Sequence, residues 1–126
     1  MRSFLLIFLV ACGASDGTPT GATCSSSVEP APTYETFGRQ FMMTYCTGCH
    51  ASTLEGGDRH DAPSDDNFDT LPGILAAADE IDALAGAGPR AKNAVMPPDE
   101  CSACKRPTAA EREQLATWIA CERATP

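Results

Sequence analysis

The residues best suited to chemistry are Cys46, Cys49 and His50, in the stretch Cys-Thr-Gly-Cys-His. On a helical turn, residues at i, i+3 and i+4 share one face, so two thiols and an imidazole point the same way. Cys-x-x-Cys-His is the attachment pattern of a c-type haem, in which the thiols bond the macrocycle and the histidine ligates the iron. The motif therefore predicts one covalently attached haem c.

Two other interpretations of the motif remain open. A Cys-x-x-Cys pair alone is also typical of redox dithiols and of half a zinc site. The zinc interpretation needs a second pair, and Cys101 and Cys104 supply one with the same spacing. In that case the chain is a haem-free lipoprotein, stapled by zinc or by disulfides.

Met96 is the first candidate for the second axial ligand of the iron. Pro97 and Pro98 follow it, favour extended backbone at Met96 and cannot continue a helix, so the thioether sits on a stiff loop. An ordinary core role for Met96 is one alternative. Ligation by His60, the only other histidine, is a second, although its polar loop favours a solvated side chain.

Three predicted helices surround these residues. Apolar side chains recur at three- and four-residue spacing over residues 34–45 and again over residues 71–85. Thr108 and Glu111 form a capping box at the start of the last helix, whose apolar stripe is Leu115, Trp118 and Ile119. Because no segment alternates like a β-strand, we expect an all-α bundle of about three to five helices around the haem.

Residues 34–126 resemble the small class I c-type cytochromes. In that family a glycine and a large apolar residue before the motif pack against a leucine and an aromatic residue of the last helix. The matching positions are Gly38, Met42, Leu115 and Trp118, with Phe41 beside them, although amphipathic periodicity alone also explains this spacing. Met96 resembles the family's distal ligand. The resemblance implies a cytochrome c fold and a His50/Met96-ligated iron.

Apart from Cys12 and the two cysteines of the motif, four cysteines remain: Cys24, Cys101, Cys104 and Cys121. A helix from Thr108 to Cys121 rises roughly 20 Å, and the seven residues back to Cys101 span about 24 Å when extended. From Cys104 only about 14 Å is available. We therefore expect a disulfide between Cys101 and Cys121, and leave Cys24 and Cys104 unassigned.

The N-terminus has the pattern of an export signal. Residues 1–11 carry Arg2 followed by an apolar run that is too short to span a membrane. Leu-Val-Ala-Cys at residues 9–12 resembles the lipobox of bacterial lipoproteins, which implies acylation of Cys12; an ordinary secretory signal is the alternative. Residues 12–33, rich in Gly, Ser, Thr and Pro, are predicted to be a flexible tether to a domain at residues 34–126.

Composition narrows the function classes. A chain of 126 residues suits one folded domain, and its formal net charge of −8 disfavours nucleic acid as a partner. We expect an exported electron carrier, anchored by lipid on the periplasmic side, that meets a redox partner with a basic docking patch and is not an enzyme. The alternative with haem is a gas or peroxide sensor, or an enzyme-associated haem subunit, whose sixth position is open or labile.

Overall fold

The computed structural model describes residues 17–24 and 30–126. A π-helical segment, Tyr34–Gly38, runs directly into α1, Arg39–Tyr45. Within the described ranges no β-strand forms, apart from one isolated bridge between Ala87 and Lys92, so the predicted all-α class is confirmed. The remaining elements are a 3-10 helix at Gly56–Arg59, α2 at Leu71–Ala76, α3 at Ala78–Ala85 and α4 at Ala109–Ala124.

Threonine side chains start three of the helices. Thr33 caps the π-helical segment and Thr70 caps α2, each accepting a hydrogen bond from a backbone N–H three residues later. At α4 the predicted capping box is confirmed, because Thr108 accepts from the Glu111 N–H while the Glu111 carboxylate accepts from the Thr108 N–H. Such caps satisfy N–H groups that have no partner within the helix.

The predicted helix over residues 71–85 is two helices. Ala77 leaves helical geometry at φ −105° and ψ 15°, and its N–H bonds to the carbonyl of Ile74, three residues back. The regular α-helical hydrogen-bond pattern is therefore interrupted between α2 and α3. Ile74, Ala78 and Ile81 still face the core on the predicted apolar side, so periodicity identified the buried face but not the break.

The core lies where α4 packs against the π-helical segment, α2 and α3. Trp118 is fully buried, and the rings of Tyr34 and Phe37 lie 6.3 Å and 6.2 Å from its ring. Gly38 approaches the indole so closely that an added Cβ would meet its ring at less than any real contact distance. The other large members of this core are Phe41, Met42, Phe68, Ile74, Ile81, Leu115 and Ile119.

The predicted Cys101–Cys121 disulfide is wrong. Cys121 is bonded to Cys24, with 4.5 Å between Cα atoms, and Cys101 is bonded to Cys104, with 5.3 Å between Cα atoms. Chain reach distinguishes Cys101 from Cys104 as a partner of Cys121 but does not include Cys24, which lies in the predicted flexible tether. In the structure that segment packs against the helical domain, and Cys24 reaches Cys121.

Residues 17–24 lie against the helical domain, so the predicted flexible tether to residue 34 is also wrong for this stretch. Thr20 is fully buried, and its N–H and hydroxyl donate to the two oxygens of Asp82 in α3 at 2.8 Å and 2.6 Å. Its carbonyl accepts from the N–H of Arg90 at 2.9 Å. The sequence of residues 17–24 lacks large apolar residues and so did not predict this packing. Hydrogen bonds and the Cys24 disulfide hold the segment in place, not apolar burial.

The predicted signal at residues 1–11 and the acylated Cys12 lie outside the described residues. Among the helices of residues 17–24 and 30–126, none has the length and apolar character needed to cross a membrane.

Candidate functional site

A cavity of about 740 Å³ opens between the end of α1, the loop before α2, helix α3 and the loop before α4. Its size lies within the usual range of cofactor sites, roughly 300–1,000 Å³. Cys46, Cys49 and His50 line it, and so does Met96, which is far from them in the chain. All four predicted haem-binding residues therefore border one space.

The motif forms one helical turn after α1. The N–H of Cys46 bonds to the carbonyl of Met42, and the N–H groups of Cys49 and His50 bond to the carbonyl of Cys46 at 3.1 Å and 2.9 Å. This turn brings both thiols and the imidazole to the cavity wall. Cys46 and Cys49 are the two free cysteines of the described chain, whereas the other four described cysteines are in disulfides.

Burial raises the pKa of the Cys46 thiol to about 12, against a smaller lowering by the charge of Arg112. The thiol is therefore protonated at neutral pH. A neutral S–H group is compatible with an apolar cavity wall, where an unpaired thiolate would be unfavourable.

His50 has a fixed orientation. Its Nδ1 lies 3.2 Å from the backbone carbonyl of Asp66, and because a carbonyl only accepts, Nδ1 carries the hydrogen and Nε2 keeps a lone pair for a metal. The ring stacks on Phe68 at 4.5 Å with 13° between planes. Burial lowers the pKa of His50, outweighing the opposing effect of the Asp66 hydrogen bond, so the neutral ligand form is favoured.

Arg59 organises the loop that carries Asp66, and sequence analysis missed it. The side chain is only 5% exposed. Its guanidinium donates to the Asp66 carbonyl at 3.0 Å, the Ala51 carbonyl at 2.8 Å and the Asn67 side chain at 3.0 Å. Arg59 and His50 thus share the Asp66 carbonyl as acceptor. An arginine between acidic residues in a polar loop reads as a surface charge, so the sequence carries no signal for this role.

The backbone of Met96 is held from two sides. Its N–H donates to the carbonyl of Leu84 at 3.0 Å, and its carbonyl accepts from Nη1 of Arg112 at 2.9 Å. The same Arg112 nitrogen donates to the carbonyl of Ala85 at 2.9 Å. Arg112, 7% exposed on α4, therefore joins the segment of Met96 to the end of α3.

Arg106 holds the two residues that follow. Its guanidinium donates to the carbonyls of Pro97 and Pro98 at 3.1 Å and 3.0 Å and pairs with Asp99 at 2.9 Å. The Met96–Pro97 peptide bond is cis. The prolines predicted a stiff loop; the two arginines that hold three consecutive carbonyls had no signal in the sequence, because their acceptors are backbone atoms.

His60 also borders the cavity. It is exposed, and its backbone is left-handed at φ 51°. Cavity lining alone does not choose between Met96 and His60. By contrast, Gly38, Phe41, Met42, Leu115 and Trp118, predicted to serve the haem pocket or helix packing, lie in the core and not among the lining residues.

The zinc interpretation loses half of its ligand set. Cys101 and Cys104 are bonded to each other and hold no free thiol. Across residues 17–24 and 30–126, no group of three or more His, Cys, Asp or Glu side chains is arranged to hold a metal ion.

Acidic side chains surround the cavity on several sides. Asp61, Asp66, Glu80 and Glu100 all contribute to its lining, and Asp61, Glu80 and Glu100 are exposed. A mouth of this charge attracts cations and cationic surfaces.

No protein-family model, no curated protein and no solved structure matches the chain.

Proposed function

We propose that this chain is a monohaem c-type cytochrome that carries electrons. The observation that supports the proposal best is the shared cavity: Cys46, Cys49 and His50 border the same 740 Å³ space as Met96, the ligand proposed from the sequence. Met96 is distant from the motif in the chain, so its position at this cavity is an observation independent of the motif. The free state of both motif thiols also fits, because every other described cysteine is in a disulfide.

Each of these residues has a distinct role in the proposal. Cys46 and Cys49 form the thioether links, His50 offers Nε2 to the iron, and Met96 offers its thioether. The bound haem supplies a one-electron Fe(II)/Fe(III) couple. Asp66 and Arg59 hold the imidazole in one orientation, while Arg112 and Arg106 hold the segment of Met96.

Electron transfer without catalysis is proposed because His50 and Met96 would both hold the iron and leave no position open for a substrate. A neutral thioether and an apolar wall both favour the reduced iron and raise the reduction potential. We propose that the protein acts on the periplasmic side of a membrane, anchored through acylated Cys12, and that the acidic cavity mouth meets a basic patch of its redox partner.

A second candidate function keeps the haem but leaves its sixth position open or labile, for a gas or peroxide. The presence of His60 at the same cavity adds a third arrangement, in which His60 replaces Met96 as ligand. Both alternatives keep Cys46, Cys49 and His50 in their roles and differ only in the residue opposite.

Covalent attachment is the direct test. The full chain is produced in a host with the cytochrome c maturation machinery, run on a denaturing gel and stained for haem peroxidase activity. Because thioether bonds survive denaturation, the wild type should stain and Cys46→Ala/Cys49→Ala should not. Cys101→Ser/Cys104→Ser, which also removes two cysteines three residues apart, should keep the stain. A colourless wild type would contradict the proposal and favour a haem-free lipoprotein stapled by disulfides.

A further inference from the structure

The Cys101–Cys104 disulfide joins residues only three positions apart, in an irregular stretch before α4. The Cys24–Cys121 disulfide, by contrast, spans 97 positions and holds the N-terminal segment on α4. Stabilisation by a disulfide decreases as the closed loop becomes shorter. Cys101–Cys104 connects no helix to another, so fold stabilisation alone gives a weak reason for it.

The location of this bridge points to a different role. Cys101, Ser102, Ala103 and Cys104 all line the cavity that Cys46, Cys49 and His50 also line. Ser102 and Ala103 are exposed and the two cysteines are half-buried, so a reagent in solvent can approach the bridge. A Cys-x-x-Cys pair at an accessible surface is the arrangement used in thiol–disulfide exchange.

The bridge also belongs to the same wall as Met96. The N–H of Cys101 donates to the carbonyl of Pro98 at 3.1 Å, and the N–H of Cys104 donates to the carbonyl of Cys101 at 3.2 Å. Pro97 directly follows Met96. The disulfide therefore closes the loop of residues 101–104, and the Cys101 N–H links this loop to Pro98, two residues after the proposed iron ligand.

We propose that Cys101 and Cys104 form a second, two-electron redox site. An exported dithiol protein reduces this disulfide, and the reduction loosens Met96. The part that concerns Met96 rests on the proposed haem function; the exchange itself does not.

The exchange balances without any other reactant. A thiolate of the dithiol attacks one sulfur of the bridge, the S–S bond breaks, and the other cysteine leaves as a thiolate that takes up a proton. The second thiol of the reductant then attacks the mixed disulfide and releases the other cysteine. The reductant ends as a disulfide and the chain gains two thiols, by transfer of two electrons and two protons.

The first experiment follows the bridge itself, with dithiothreitol as the dithiol. Native holoprotein is incubated with the reagent without denaturant, free thiols are alkylated, and the peptides are weighed by mass spectrometry. Cys101 and Cys104 should both become alkylated while the helical circular dichroism is unchanged. Alkylation of this pair only after denaturation would overturn the proposal. The readout does not depend on the haem, so it remains decisive even if no haem is bound.

The second experiment measures carbon monoxide binding to protein whose haem is kept ferrous by ascorbate. Opening the bridge should raise the rate of binding about tenfold, the change expected when a restraint comparable to one hydrogen bond on the competing ligand is lost. Cys101→Ser/Cys104→Ser should bind carbon monoxide at the raised rate and show no further response to dithiothreitol.

The other disulfide provides the matched control. In Cys24→Ser/Cys121→Ser the bridge of interest is the one remaining between described cysteines, so the response to dithiothreitol should persist. If the response disappears there, or if Cys101→Ser/Cys104→Ser binds carbon monoxide as slowly as the oxidised wild type, the link to Met96 is wrong. Absence of haem would contradict both the proposed function and the link to Met96. The alkylation experiment tests the thiol–disulfide exchange separately, because its result does not depend on haem.

Discussion

At the scale of single residues, Met96 and His60 are both candidates for the second ligand of the proposed haem iron, because both border the cavity that His50 lines. Their surroundings differ. The Met96 side chain packs against the core and its backbone bonds to Leu84 and Arg112, whereas His60 is exposed. A ligand needs a fixed position to keep a weak iron–thioether bond closed, and this favours Met96.

Replacement of Met96 by Ala should therefore remove the thioether ligand while leaving the haem attached. We expect loss of the weak far-red absorption band of thioether-ligated ferric haem, together with carbon monoxide binding to the ferrous protein. His60→Ala is the control and should change neither property. The assignment is wrong if the wild type lacks the band and His60→Ala converts the haem from low to high spin.

Arg59 should act on the proposed haem iron through His50. Its guanidinium withdraws electron density from the Asp66 carbonyl that accepts the His50 Nδ1 hydrogen, and its positive charge acts on the His50 ring. Arg59→Met should lower the reduction potential, measured by spectroelectrochemistry, because both effects favour Fe(II) in the wild type. Arg59→Lys, which keeps the charge but not the planar set of donors, should lie between the two.

Arg59→Met should also lower the free energy of unfolding, because the backbone carbonyls that accept from Arg59 lose a charged donor. Hydrogen bonds to charged groups contribute about 1.5–3 kcal/mol each, so we expect a loss of at least about 3 kcal/mol in urea unfolding. Arg39→Met, at an exposed arginine of α1, is the matched control for both measurements. An unchanged potential in a folded Arg59→Met protein would show that Arg59 serves the loop alone.

At the scale of elements, the packing of the π-helical segment against α4 requires a glycine at position 38. Gly38 lies against the fully buried Trp118, and an added Cβ would overlap its indole ring. Gly38→Ala should therefore destabilise the protein by about 1–3 kcal/mol, the usual cost of overpacking, despite the better helix propensity of alanine.

Gly57→Ala is the matched control for this crossing. Gly57 lies in the 3-10 helix, and an added Cβ there would meet nothing within 4 Å. Its stability should stay within about 0.5 kcal/mol of the wild type in thermal or urea unfolding. Equal stability of the two alanine variants would mean that the helices separate easily at Gly38.

At the scale of the whole molecule, the charge of −8 and the acidic cavity mouth should control the approach of reaction partners. Reduction of the protein by a small cationic complex should be about tenfold faster at low than at high ionic strength, because salt screens attraction beyond about 10 Å at 0.1 M. An anionic reagent should show the opposite salt dependence. Stopped-flow kinetics measure both rates.

The position of the charge can be separated from its amount. Asp61→Asn/Glu100→Gln removes two acids at the cavity, and Glu35→Gln/Glu113→Gln removes two exposed acids outside its lining. Both variants have the same net charge. The first should weaken the salt dependence more strongly; an equal effect would show that net charge alone steers the approach.

The helical class, the capping box at Thr108 and the buried faces of the helices could be predicted from the sequence alone. These features depend on contacts within a few residues, which spacing and residue type record directly. The sequence also singled out Cys46, Cys49, His50 and Met96, because the chemistry of each side chain is visible in its type and its neighbours.

The disulfides and the side chains that hold the site depend on tertiary contacts and could not be predicted from the sequence. Cys24 meets Cys121 because a polar segment packs on α3 through Thr20 and Asp82, a contact without any apolar signal. Arg59, Arg106 and Arg112 bind backbone carbonyls, and every residue carries such a carbonyl. A pattern of residue types cannot distinguish among acceptors that all residues share, so these contacts appear only once the chain is folded.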